Sequence, residues 1–248
     1  MHAVALSASQ TQRPRWLGLA VIVAALAAIA AGWVMSHDPA TPWRWLHWIG
    51  KPLATGLIGL LVYRSRRPVS ARYRRWIGLG VACSLVGDVL LMLPQNLFVP
   101  GLLAFLFGHL CFLTALLGDS RFAARPRLLG ACLALAALNL CLLWNVIGAG
   151  LRVPVIVYAM VLASMAGQAL VRAQLLHERG DPQARAAALS AAGALVFMLS
   201  DGLLAWNRFH GAIPGSSLWV LSTYYLALWW IACSVQRRDT GAAAGISS

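Results

Sequence analysis

The sequence predicts an all-α membrane protein, a polytopic bundle of eight transmembrane helices with both termini in the cytoplasm. Three observations carry that prediction. Hydrophobic types supply 60% of the 248 residues and Asp, Glu, Lys and Arg only 11%, against about 25% charged residues in a soluble domain. All but five of the Lys, Arg, Asp, Glu and His side chains fall in short stretches between long apolar runs, and one of the five, His47, stands beside the end of its run. The basic residues, nineteen arginines and the single Lys51, alternate from stretch to stretch between many and few. This pattern excludes an ordinary soluble enzyme and a disordered chain. It also assigns the net charge of +13 to membrane topology rather than to a nucleic-acid partner, because cytoplasmic loops collect arginine.

A helix needs roughly 20 apolar residues to cross a hydrocarbon core about 30 Å thick. The first such run is 16–36. It contains Ala28-Ile-Ala-Ala-Gly32, which resembles a signal-peptidase site, but a signal core is about 7–15 residues and this run is longer, so it is read as a retained span. The second, 46–63, follows Trp43, Trp45 and Trp48 and is followed by six arginines between 64 and 75. The third and fourth, 76–94 and 98–117, are divided by Pro94-Gln-Asn-Leu97. The fifth and sixth, 128–147 and 153–171, flank Arg152, and the seventh and eighth are 187–206 and 216–235. Pro52, Pro100 and Pro154 are placed in first turns, where a missing N–H costs little. The organisation is an N-terminal segment 1–15, one membrane domain 16–235 and a polar tail 236–248, with no soluble domain.

Arginine placement sets orientation. With a cytoplasmic N-terminus, sixteen arginines lie inside and Arg44, Arg152 and Arg208 outside, as the positive-inside rule requires of an even number of spans. A bacterial inner membrane is the expected location. Cys83, Cys111, Cys132, Cys141 and Cys233 all lie in apolar runs and read as small packing residues.

Lys51, Asp88, His109 and Asp201 sit inside spans. A charge at mid-bilayer costs at least about 2.5–3.5 kcal/mol, which makes such groups functional candidates. At a rise of 1.5 Å per residue, Lys51, Asp88 and Asp201 lie about 8–9 Å below the outer helix ends, Tyr224 and Tyr225 about 12–14 Å and His109 about 16 Å. Both acids and the only lysine therefore share one level. Structural roles compete with functional ones: a core histidine for His109, a snorkelling amine for Lys51, packing for the tyrosines, an interface charge for Arg208. Gly87-Asp88-Val-Leu-Leu and Ser200-Asp201-Gly-Leu-Leu share a pattern in the third and seventh spans, which hints at a parallel four-plus-four repeat. Phosphate-loop, zincin and serine-elbow motifs are missing from the sequence.

Five motifs in order carry a resemblance: Lys51-Pro-Leu-Ala-Thr55, Ser84-Leu-Val-Gly-Asp88, Phe107-Gly-His109, Leu199-Ser-Asp201-Gly-Leu-Leu-Ala-Trp-Asn207-Arg208 and Ser222-Thr-Tyr224-Tyr225. Over about 45–235 the chain resembles the lysoplasmalogenase (YhhN-like) family of multi-pass membrane proteins. The resemblance implies hydrolysis of the vinyl ether bond of a lysophospholipid to a fatty aldehyde and glycerophosphoethanolamine or glycerophosphocholine, with no cofactor. Protonation of the β-carbon and hydration of the resulting cation ask for one acid and one carboxylate, as in two-carboxylate glycoside hydrolysis. Asp88 and Asp201 are expected to share one proton, with His109 as relay. Lys51, Tyr224, Tyr225, Asn207 and Arg208 are expected to bind substrate in a cavity open to the non-cytoplasmic side. Two other readings fit the same residues: a proton-coupled transporter, and a metal-dependent hydrolase using Asp88, His109 and Asp201 as ligands.

Overall fold

The structure, a computed structural model, describes residues 15–38 and 42–237. Apart from their innermost residues, the N-terminal segment and polar tail delimited from the sequence lie outside the described residues. Eight helices long and apolar enough to cross a membrane follow in order: α1 (Arg15–His37), α2 (Arg44–Tyr63), α3 (Ala71–Met92), α4 (Phe98–Leu116), α5 (Pro126–Leu143), α6 (Ala149–Glu178), α7 (Ala184–Ala205) and α8 (Ser216–Cys233). A five-residue π-helical segment, Trp206–His210, extends α7. Every sequence-derived span overlaps one helix.

The differences in boundary have physical causes. α3 starts at Ala71, where the Ser70 side chain accepts a hydrogen bond from the Tyr73 N–H at 3.0 Å, so Arg72, Arg74 and Arg75 ride on the first turns of a helix. α6 continues past 171 to Glu178 because Arg172, expected in a cytoplasmic stretch, is fully buried. Its guanidinium donates from Nε and Nη2 to the two oxygens of Asp119, each at 2.7 Å, and lies 4.9 Å above the Tyr73 ring. Bidentate pairing supplies the partner that a buried charge requires. Pro52 and Pro154 lie well inside α2 and α6 rather than in first turns. Transmembrane helices tolerate this because neighbours and side chains restore the freed backbone groups.

The helices pack as a ring: α1 on α2, α2 on α3, α3 on α4, α4 on α6, α6 on α7, α7 on α8, and α8 back on α1 and α2. α5 stands outside that ring, against α6 and the π-helical segment. Glycine permits the closest approaches. A Cβ on Gly87 would stand 2.5 Å from the Phe105 ring, and one on Gly193 would stand 2.8 Å from the Ala227 carbonyl oxygen. Outward positions carry large apolar side chains more than half exposed, among them Leu19, Val23, Leu79, Leu138 and Val153. This is the inverse of a water-soluble surface and fits a hydrocarbon environment.

Candidate active site

Each intramembrane aspartate is placed by the last turns of one helix and met by donors from two others. On α3, Asp88 is 1% exposed. Its Oδ2 accepts from Thr55 Oγ1 of α2 at 2.6 Å and from the Tyr224 hydroxyl of α8 at 2.7 Å. Its Oδ1 faces the Lys51 ammonium at 3.4 Å. Both oxygens of this carboxylate are engaged. Lys51 therefore neither snorkels nor stands free, and Tyr225 bonds only weakly, to the Lys51 carbonyl at 3.5 Å.

On α7, Asp201 has a different shell. The Tyr158 hydroxyl of α6 donates to Oδ2, and His109 Nε2 of α4 lies 3.4 Å from the same oxygen and 2.9 Å from the Tyr158 hydroxyl. A hydroxyl has one proton to give. Since Tyr158 gives it to Asp201, its oxygen accepts from the His109 Nε2–H. The order is then His109 to Tyr158 to Asp201. His109 is fully buried, and its Nδ1 has no hydrogen-bond partner among the described residues. Asp201 Oδ1 accepts no hydrogen bond from the described residues, and the side chain retains 12% of its exposure.

That exposure opens into a cavity of about 390 Å³ between α4, α5, α6 and α7. Its wall is leucine, alanine and phenylalanine, and its polar side chains are Asp201, Tyr158 and Asn139. One end is lined by Phe98, Trp206 and Phe209, at the arginine-poor end of the bundle; the other reaches Leu162 and Leu195 deeper in. Leu135 of α5 and Leu199 of α7 line it while remaining more than half exposed, so the cavity communicates with the lipid-facing surface between these two helices.

The structure gathers most of the sequence-derived candidates but does not make one dyad of them. Asp88 and Asp201 are not hydrogen-bond partners, and Asp88 does not line the cavity. An aromatic cluster joins the two centres. Phe197 stacks edge-on against Tyr224 at 5.6 Å and against His109 at 4.7 Å, and Phe105 against Phe197 at 6.5 Å and Tyr224 at 5.9 Å. Nor do three metal-ligating side chains converge among the described residues, so the three-ligand set Asp88, His109 and Asp201 does not form. Asn207 accepts from the Ile213 N–H at 3.0 Å and orders the turn after the π-helical segment. Arg208 is exposed, donates to Asn96 Oδ1 at 2.9 Å and lies 4.9 Å above the Phe98 ring, which lines the arginine-poor end of the cavity.

Two residues of the site carried no sequence signal that singled them out. Tyr158 looks like one aromatic in an apolar helix. Its depth is the usable clue: it lies about 14 Å from the start of α6, close to the level of His109. Thr55 could have been found from its i+4 relation to Lys51, which places both on one face of α2. The two centres also repeat across the fold. Asp88 of α3 takes donors from α2 and α8, Asp201 of α7 from α6 and α4, and a shift of four helices maps one set onto the other.

Comparison with known proteins adds the chemistry of relatives. A model of the YhhN family matches residues 46–235. The chain is 29% identical over 236 residues to the lysoplasmalogenase TMEM86B of Sus scrofa, covering 93% of this chain and 91% of that protein. It is 33% identical over 168 residues to lysoplasmalogenase TMEM86B of Homo sapiens, covering 68% and 66%. It is 37% identical over 147 residues to the lysoplasmalogenase of Mycobacterium bovis, covering 56% of this chain and about half, 51%, of that relative. No solved structure matches the chain.

Proposed function

The chain belongs to the YhhN family, and we propose that it is an intramembrane hydrolase that cleaves the vinyl ether of a lysoplasmalogen at Asp201. One observation carries the reading. Asp201 lines an apolar cavity, its Oδ1 takes no hydrogen bond from the described residues, and its other oxygen is held by Tyr158 beside His109.

A single-chain ether lipid fits that arrangement. Its tail occupies the leucine-lined cavity, its glycerol lies at the level of Asp201, and its phosphate reaches Arg208 at the arginine-poor end. The exposed guanidinium beside Phe98 is a point of charge at headgroup depth. Asp201 gives its proton to the β-carbon of the vinyl ether, and the adjacent ether oxygen shares the positive charge that forms on the α-carbon. Water adds to that carbon and returns a proton to Asp201 Oδ1. The hemiacetal then breaks its bond to the glycerol oxygen, releasing a fatty aldehyde and a glycerophosphodiester. One carboxyl thus serves as acid and then as base, and no second carboxylate has to share its proton. His109 and Tyr158 fix the oxygen that does not react and connect Asp201 to a further proton carrier.

Asp88 acts at one remove. Its ion pair with Lys51 and its bonds to Thr55 and Tyr224 tie α2, α3 and α8 together behind Phe197, so it is a positioning residue. Both termini lie in the cytoplasm in this reading, which opens the cavity toward the outer leaflet. Purified protein should release aldehyde, and no fatty acid, from an alkenyl lysophospholipid, and nothing from its acyl counterpart. Mass spectrometry of the products decides this, and fatty acid release or an absence of aldehyde would end the reading.

A further inference from the structure

Resting on the reading of the cavity as a lysolipid site, we propose that Asn139 of α5 is a substrate-binding residue that reads the free sn-2 hydroxyl of the glycerol and so selects lysolipids over two-chain lipids. Asn139 stands in the run Leu138-Asn139-Leu140 of a membrane-spanning helix. Its side chain lines the cavity, and its amide makes no hydrogen bond to any described residue. A polar group without a partner in hydrocarbon is costly. Nothing in the packing of α5 calls for one, since the neighbouring positions are leucine and alanine.

Position ties the amide to the reacting carboxylate. Asn139 and Asp201 each lie four residues before the last residue of their helices, which run in the same direction. Asn139 Nδ2 comes within 3.4 Å of where a Cβ on Gly202 would be, one residue from Asp201. Glycine at 202 leaves the space beside the amide open. In a lysolipid the sn-2 hydroxyl is three bonds from the ether oxygen whose vinyl group takes the proton. A group that reads this hydroxyl must therefore stand near the acid, and Asn139 lines the same cavity and approaches the residue next to that acid. An amide both donates and accepts, which matches a hydroxyl that does the same. An sn-2 ester offers no donor and brings a second chain.

Binding of unreactive ligands tests this without relying on turnover. The probes are a saturated 1-O-alkyl lysophosphocholine and its sn-2 O-methyl ether, titrated against the full-length protein in detergent, with Asn139→Leu as the variant. Leucine keeps the volume and suits the helix, and an unchanged melting temperature confirms its fold. Wild type should prefer the free hydroxyl about tenfold, the worth of one hydrogen bond in a dry site, and Asn139→Leu should bind both probes equally. A preference that survives in the variant, an absent preference in wild type, or an equal loss of both probes in the variant would each overturn the proposal. Aldehyde release from the alkenyl substrate is measured alongside. Discrimination without aldehyde sinks the hydrolase reading and keeps Asn139 as a hydroxyl reader, whereas aldehyde with unaltered discrimination does the reverse.

Discussion

Replacing Asp201 with asparagine changes one atom and removes one function. The amide oxygen still accepts from Tyr158, and the side-chain volume is nearly the same, so the cavity of about 390 Å³ keeps its shape and KM should change little. What is lost is the transfer of a proton to and from Oδ1. General acid–base catalysis by a placed group contributes about 10²–10⁴-fold. Here the same oxygen acts in both steps, so kcat should fall by about 10³-fold or more. The matching change at Asp88 should behave differently. Asp88→Asn leaves Lys51, 12% exposed, without its counter-ion, and breaking a buried pair by removing one partner costs about 3 kcal/mol. In a domain of this size that is roughly 6–12 °C in Tm. Aldehyde release under saturating alkenyl lysophospholipid, measured beside a thermal melt in the same detergent, separates the two. Asp201→Asn should lose turnover with its melt intact, and Asp88→Asn should lose melting temperature first. Near-normal turnover of Asp201→Asn would refute the assignment of the reacting acid. Total loss of turnover in a thermally normal Asp88→Asn would move the chemistry to the other centre.

Three further outcomes follow from geometry already described. Arg208→Gln removes the exposed guanidinium beside Phe98 and should raise KM about tenfold with kcat unchanged, as expected for loss of a charge-assisted hydrogen bond felt equally in ground and transition states; steady-state kinetics on one substrate checks it. Leu195→Trp fills the deep end of the cavity and should abolish hydrolysis of long-chain substrates while sparing short ones, which a chain-length series read by aldehyde release will show. Asp119→Ala strands the fully buried Arg172 and should lower stability by about 3 kcal/mol, seen as a lower Tm that Arg172→Met on the same background restores.

How far the sequence could be read depended on whether a feature was local. Spans are local: twenty apolar residues declare themselves, and all eight helices were legible, though the start of α3 at the Ser70 cap was not. Depth is nearly as accessible, because rise per residue is fixed: Lys51 and Asp88, read near one level, meet at 3.4 Å, although His109, read deeper than Asp201, lies 3.4 Å from it. Pairing is not local. Nothing in the chain says whether Lys51 meets Asp88 or Asp201, because either lies at a reachable depth and the choice belongs to the order of helices around the ring. The same blindness joined two aspartates that an aromatic cluster separates. Arg172 was misplaced for a related reason: a charge after an apolar run ends a span only if no partner follows it inward, and its partner Asp119 stands in a loop between other helices. Tyr158 and Asn139 were passed over because a lone polar residue among leucines carries no period.

The position of α5 has a consequence for how the molecule should feel its surroundings. With 18 residues it measures about 27 Å, a little short of the thickness of a typical hydrocarbon slab, and it is anchored on one flank only. A thicker or stiffer bilayer strains this short, least tethered helix before it disturbs the closed circle beside it. The width of the slot beside Leu199, and with it the supply of amphiphile, then depends on lateral pressure and lipid length. Turnover in such a protein would report the mechanical state of its host membrane as well as the abundance of its substrate.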